Sequence, residues 1–119
     1  MTDEQADMLF VLLKAFKGGE QPGWEFFHGD CVGADEQAHE LARFLGYRVT
    51  IFPPLNETKR AFCNAHETRP AKEYLERDRD IVDECDILLA AIQYPIKPRS
   101  GSWYTYRYAL DHHRRAWRL

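Results

Sequence analysis

The run Asp86-Ile-Leu-Leu-Ala-Ala-Ile92 constrains the fold more than any other segment, because its six apolar side chains follow one another without alternation. A strand with one face in water alternates, whereas an unbroken apolar strand is covered on both faces, as in a parallel sheet between helices. The rest of the chain has to supply that cover.

It does so at regular spacing. Thr2 to Gln5 forms a capping box, with Thr2 as N-cap and Gln5 reaching back. Met8, Leu9, Leu12, Leu13 and Phe16 then recur at helical spacing up to Gly18-Gly19. After Pro22-Gly23, the aromatic segment Trp24 to Phe27 predicts a short buried strand. Ala34, Ala38, Leu41, Ala42 and Leu45 mark an amphipathic helix that Gly46 closes. Tyr47 to Phe52 is a second strand, ended by Pro53-Pro54, since proline cannot continue a ladder. Residues 55 to 70 are polar and mixed, with a short helix expected around 58 to 65. Pro70 opens a clearer helix carrying Tyr74, Leu75, Val82 and Cys85 on one side. A loop over 93 to 99 feeds a last helix, and Arg115 to Leu119 reads as a short final strand.

Alternation at βαβ spacing predicts an α/β fold, a Rossmann-like three-layer sandwich with a mainly parallel sheet of about four strands. The 119 residues suit one domain. A formal charge of −3 gives no general pull toward nucleic acid. No stretch approaches the roughly 18 apolar residues of a membrane helix, and the start lacks the order of a signal peptide, so a soluble cytoplasmic protein is expected. Cys31, Cys63 and Cys85 are odd in number and form no CxxC, which suits reduced thiols rather than a disulfide framework or a zinc site.

In such sheets ligands bind beyond the carboxyl ends of the strands, which points to 28 to 35, 53 to 60 and 94 to 103. Gly29 and Gly33 bracket a strand-to-helix turn at Ala34. Glycine there permits close backbone approach, and the helix start offers free N–H groups to a phosphate or carboxylate, although a tight turn needs glycine in any case. Arg99-Ser100-Gly101-Ser102 combines a cation, two hydroxyls and a glycine at a helix start. This suits phosphate or ribose, or equally an ordinary serine N-cap. Arg77 and Arg79 lie among many carboxylates, where salt bridging on a solvated helix face is the simpler expectation. His28, Asp30 and Asp35 could act as acid, base or metal ligand. With no second cluster such as HExxH, no metal is expected, and a carboxylate bracing the turn is the plainer alternative. His112-His113 suits a helix C-terminus, and Trp103, Tyr104, Tyr106 and Tyr108 either stack on a base or serve as core or interface.

Together, "HGDCVGADEQAHELARFLGYRVTIFPP" (28 to 54), "KEYLERDRDIVDECDILLAA" (72 to 91) and "RSGSWYTYRYAL" (99 to 110) resemble the SLOG superfamily. This Rossmann-like group includes the DNA-processing protein DprA and the LOG phosphoribohydrolases, and the match looks nearest to its small stand-alone bacterial and phage members. The resemblance implies a nucleotide pocket at the strand carboxyl ends. Gly29, Asp30, Gly33, Ala34 and Asp35 would shape its first loop, with Pro53 beyond the second strand and Arg77 on the pocket side. Arg99, Ser100, Gly101 and Ser102 would hold phosphate. No cofactor is implied.

Three departures qualify this. The LOG branch carries a PGGxGT turn closely followed by a glutamate, whereas here no acidic residue follows the RSGS turn until Asp111. The usual Asn after the first arginine is Asp78, which exchanges an amide donor for an acceptor. Relatives also begin with a strand ahead of the helix that here opens at Thr2. A central strand is therefore expected to be absent, with the start truncated, the sheet rearranged or another subunit completing it.

The expectation is a homo-oligomeric domain that senses or sequesters a nucleotide-derived small molecule in phage or bacterial conflict, without catalysis. One alternative is a LOG-like phosphoribohydrolase or N-glycosidase drawing on Asp30, Asp35 or Asp78. The other is a DprA-like DNA-associated or assembly module, which the net negative charge disfavours.

Overall fold

The capping box closes as its spacing requires. Gln5 N–H donates to Thr2 Oγ1 at 3.0 Å and Thr2 N–H to Gln5 Oε1 at 2.9 Å, and α1 (Asp3–Lys17) runs from there. The computed structural model describes residues 1–17 and 24–119, so the glycine stop at Gly18-Gly19 and the turn at Pro22-Gly23 lie outside the described residues. There follow β1 (Glu25–His28), α2 (Ala34–Phe44), β2 (Arg48–Ile51), β3 (Glu67–Thr68), α3 (Tyr74–Glu84), β4 (Ile87–Ala90), α4 (Gly101–Asp111) and β5 (Arg115–Arg118).

The architecture is α/β, and every strand pairing is parallel, but the strands form two small sheets rather than one. One has the order β1-β2-β3 and the other is β4-β5. Among the described residues there are five strands where about four were expected, because Glu67 and Thr68 extend alongside Thr50 and Ile51. The short helix expected over 58 to 65 reduces to a single 3₁₀ turn over Glu57–Lys59. The helix expected from Pro70 starts at Tyr74, with Lys72 instead bridged to Pro54.

Helices cover both faces of the strands. Leu9 and Leu13 of α1, Ala38 and Ala42 of α2, and Val49 and Ile51 of β2 make one core, on which Leu89 packs. Leu88, its neighbour in β4, packs instead with Val82 of α3 and Ala109 of α4. Successive residues of the strand therefore enter two different apolar layers, which is why the 86–92 run shows no alternation. Each fully buried aliphatic side chain, such as Val49 or Val82, contributes roughly 1.5–3 kcal/mol.

Candidate functional site

The turn after β1 folds around side chains of its own neighbourhood. Asp30 adopts φ 56°, a left-handed conformation that aspartate tolerates better than most residues, and its N–H donates to His28 Nδ1 at 2.9 Å. A nitrogen that accepts carries no proton, so neutral His28 holds its proton on Nε2 and donates to His39 Nδ1 at 3.0 Å. Burial, reinforced by His39, lowers the His28 pKa to about 4. Among the described residues, His28, His39 and Cys63 bring their ligand atoms within 4.8 Å of one another. The same hydrogen bonds argue against a cation there, since the His28 nitrogen facing the other two bears a proton, and burial and Asp30 push the Cys63 thiol up to about 12.

Asp30 itself is fully buried. Its carboxylate accepts from Arg60 Nε and from Cys63 N–H, both at 2.8 Å, while its carbonyl accepts from Ala61 N–H. Burial opposes ionisation, but these donors hold the carboxyl below its ordinary value. Asp30 therefore pins residues 60 to 63 in a non-helical path in which Phe62 adopts φ 56°, and this explains the missing helix.

Asp35, in the first turn of α2, points back at the loop. Its carboxylate accepts from Cys31 N–H at 3.2 Å. Gly29 has to be glycine, because a Cβ would stand 2.6 Å from the guanidinium carbon of Arg77. Arg77, expected on a solvated face, is 6% exposed, and Nη1 donates to the carbonyl oxygens of Gly29 and Phe52. Its Nε lies 2.8 Å from Asp78 Oδ1, close enough for Coulomb attraction, yet without hydrogen-bond alignment, so that buried N–H has no hydrogen-bond partner. Asp78 reaches the start of α4, where its carboxylate lies near Gly101, and the Thr105 hydroxyl donates to Gly101 O at 2.7 Å. Burial raises the carboxyls of both Asp35 and Asp78, against the lowering pull of Arg77. Two carboxyls with raised pKa values flanking one guanidinium beyond the strand ends form a unit suited to hydrogen-bonding hydroxyls and to moving protons.

No protein-family model, curated protein or solved structure matches this chain.

The three sequence blocks thus meet in space. Gly29, Asp35, Arg77, Asp78 and Gly101 converge, whereas Asp30 turns away from them to Arg60. Gly33 has φ 95° and open space around it, so its backbone rather than close packing requires glycine, and Ala34 simply opens α2. Pro53 is fully buried behind the site. Ser100 Oγ accepts from Trp103 N–H at 3.1 Å, the ordinary serine N-cap that stood as the alternative to phosphate binding, with Arg99 and Ser102 exposed beside it. Thr105 was not foreseen, although its place four residues after Gly101 puts it on the same helix face. Nothing in the sequence marked Arg60.

A cavity of about 360 Å³ opens on the other side of Arg77, between Phe52, Arg69, Lys72 and Asp80. Its cations are already matched, Arg69 by Glu67 and Glu84 at 2.9 and 3.0 Å, and Lys72 by Asp80 at 2.6 Å. It is correspondingly a poorer anion site.

Proposed function

We propose that this chain binds a nucleotide-derived small molecule where the 29–35 turn, Arg77-Asp78 and the start of α4 meet, in the manner of a non-catalytic SLOG-like domain. The observation that carries the reading is Arg77, a buried guanidinium held between the Gly29 carbonyl and the Asp78 carboxylate beside the start of α4. The Cys31 N–H is occupied by the Asp35 carboxylate, so this turn favours ribose hydroxyls over a second phosphate. Phosphate belongs at the α4 N-terminus, where Gly101 and Ser102 offer backbone N–H groups beside Arg99. Sensing or sequestering a signalling nucleotide in the cytoplasm of a bacterium or during phage infection follows from the resemblance alone. Among the described residues, no helix is long and apolar enough to cross a membrane. Homo-oligomerisation is part of the proposal and is supported by exposed Val11 on α1 and Phe44 on α2.

Calorimetry with nucleoside monophosphates, nucleoside diphosphates and the parent nucleosides tests this. Nucleotides should bind at least tenfold more tightly than nucleosides, and Arg99→Ala should remove most of that difference. Equal affinity for nucleoside and nucleotide overturns the phosphate assignment.

The raised carboxyls of Asp35 and Asp78 favour a second reading, a phosphoribohydrolase or N-glycosidase with one of them as acid. Chromatography of nucleotide incubations decides it: release of free base that Asp35→Asn abolishes makes the protein an enzyme.

A further inference from the structure

The stripe of α1 that faces away from the core has the spacing of a helix seam. Leu9 and Leu13 are buried, whereas Glu4, Met8, Val11 and Ala15 are exposed at steps of four, three and four residues, which keeps them on one side of the helix. Met8 is 49% and Val11 59% exposed, and two exposed charges two turns apart, Asp7 and Lys14, flank them on the same side. Among the described residues neither charge takes part in an ion pair. Beyond that flank Phe10 meets Phe44 of α2, with ring centroids 6.3 Å apart, and Phe44 is 78% exposed.

We propose that this face binds a second copy of the chain, with α1 packed antiparallel on α1 about a two-fold axis. The proposal rests on the homo-oligomerisation in the functional reading above and gives it an interface. Contacts about a two-fold axis are reciprocal, so the stripe has to complement itself when read backwards. One register achieves this. Met8 faces Val11 of the second copy and Val11 faces its Met8, Glu4 lies over the small Ala15 at each end, and Asp7 reaches Lys14 of the second copy. An antiparallel seam brings the same flank of both helices together, so the pair of opposite charges forms twice and both Phe44 rings come to that side, widening the apolar contact. A parallel pairing sets the two Asp7 carboxylates at one level and the two Lys14 ammonium groups at another, so neither meets its opposite, and it also aligns the helix dipoles that the antiparallel pairing opposes. An anionic membrane surface or a nucleic acid strand is a poorer occupant, because Asp3, Glu4 and Asp7 stand exposed on the first two turns.

Native mass spectrometry and sedimentation velocity on the 119-residue protein read the outcome, with a dimer expected in the micromolar range. Val11→Asp changes an exposed side chain and should weaken the dimer at least tenfold while leaving the circular dichroism spectrum unchanged. Asp7→Lys and Lys14→Glu, made separately, each put like charges into both pairs and should weaken self-association several-fold. Mixed in equal amounts, these two variants should dimerise as well as the parent, because every contact between positions 7 and 14 in the mixed dimer joins opposite charges. A misfolded variant cannot give that recovery. A protein that stays monomeric at every concentration overturns this proposal together with the homo-oligomeric part of the functional reading. A dimer indifferent to Val11→Asp and to both charge changes overturns this interface and leaves that part standing. Two weakened variants that fail to recover on mixing overturn the antiparallel register.

Discussion

Arg77 on α3 donates to the carbonyl oxygen of Gly29, 48 residues earlier at the end of β1, and occupies the space that a Cβ at residue 29 would need. The glycine and the arginine are one device: the missing side chain admits the guanidinium, and the guanidinium satisfies carbonyls that the turn exposes to the interior.

Arg77→Met keeps much of the volume but strands the Gly29 and Phe52 carbonyls and the two carboxyls nearby. We expect it to cost about 2–4 kcal/mol in urea unfolding. Gly29→Ala should cost about 1–3 kcal/mol by overpacking against the same guanidinium, and the pair should not be additive, because both changes act on one contact.

Asp30 and Asp35 should respond to pH in opposite senses. The folded pKa of Asp30 is depressed, so its contribution is present above the unfolded value of 3.8 and is lost as pH falls through the lower folded value. Asp30→Asn, which still tolerates the left-handed backbone, should cost roughly 1.5–3 kcal/mol at pH 7 and release residues 60 to 63 to faster hydrogen exchange. The folded pKa of Asp35 is raised, so charging it opposes folding as pH rises through and beyond 3.8. Asp35→Asn should raise the melting temperature at pH 7 and leave it unchanged below pH 3.8.

His28 sets a separate acid limit. Folding keeps it neutral with a pKa of about 4, against 6.5 in the unfolded chain, so the unfolded state takes up the proton first as pH falls. Stability should drop across that window by at most about 3 kcal/mol. In His28→Asn, whose amide oxygen can replace Nδ1 as acceptor for Asp30 N–H, urea unfolding at pH 7.5, 5.5 and 4.5 should show a flatter dependence.

Removing the α4 cap by Ser100→Ala should cost about 1 kcal/mol, read as a lowered melting temperature. Because the freed Trp103 N–H joins the exposed donors of the same turn, added inorganic phosphate should recover part of that loss if the turn is an anion site.

Local chemistry made much of the fold legible in the sequence. The Thr2–Gln5 capping box, the Ser100 cap, the glycine turn before α2 and the two-sided burial of 86–92 each follow from residues close together in the chain. The helix expected over 58 to 65 failed because its neighbourhood is decided from afar: Asp30, about 30 residues earlier, takes the Arg60 side chain and the Cys63 N–H. The solvated face assumed for Arg77 failed for the same reason, since the acceptors that make its burial tolerable come from β1 and from the end of β2.

The sequence was thus sufficient for the four helices, for β1, β2, β4 and β5 and for their parallel pairing, though not for β3, because spacing, caps and apolar runs are read over a few residues. Which carboxylates remain at the site and which one is spent on Arg60 came from folding. They depend on hydrogen bonds brought together across tens of residues, and no local pattern encodes those distances.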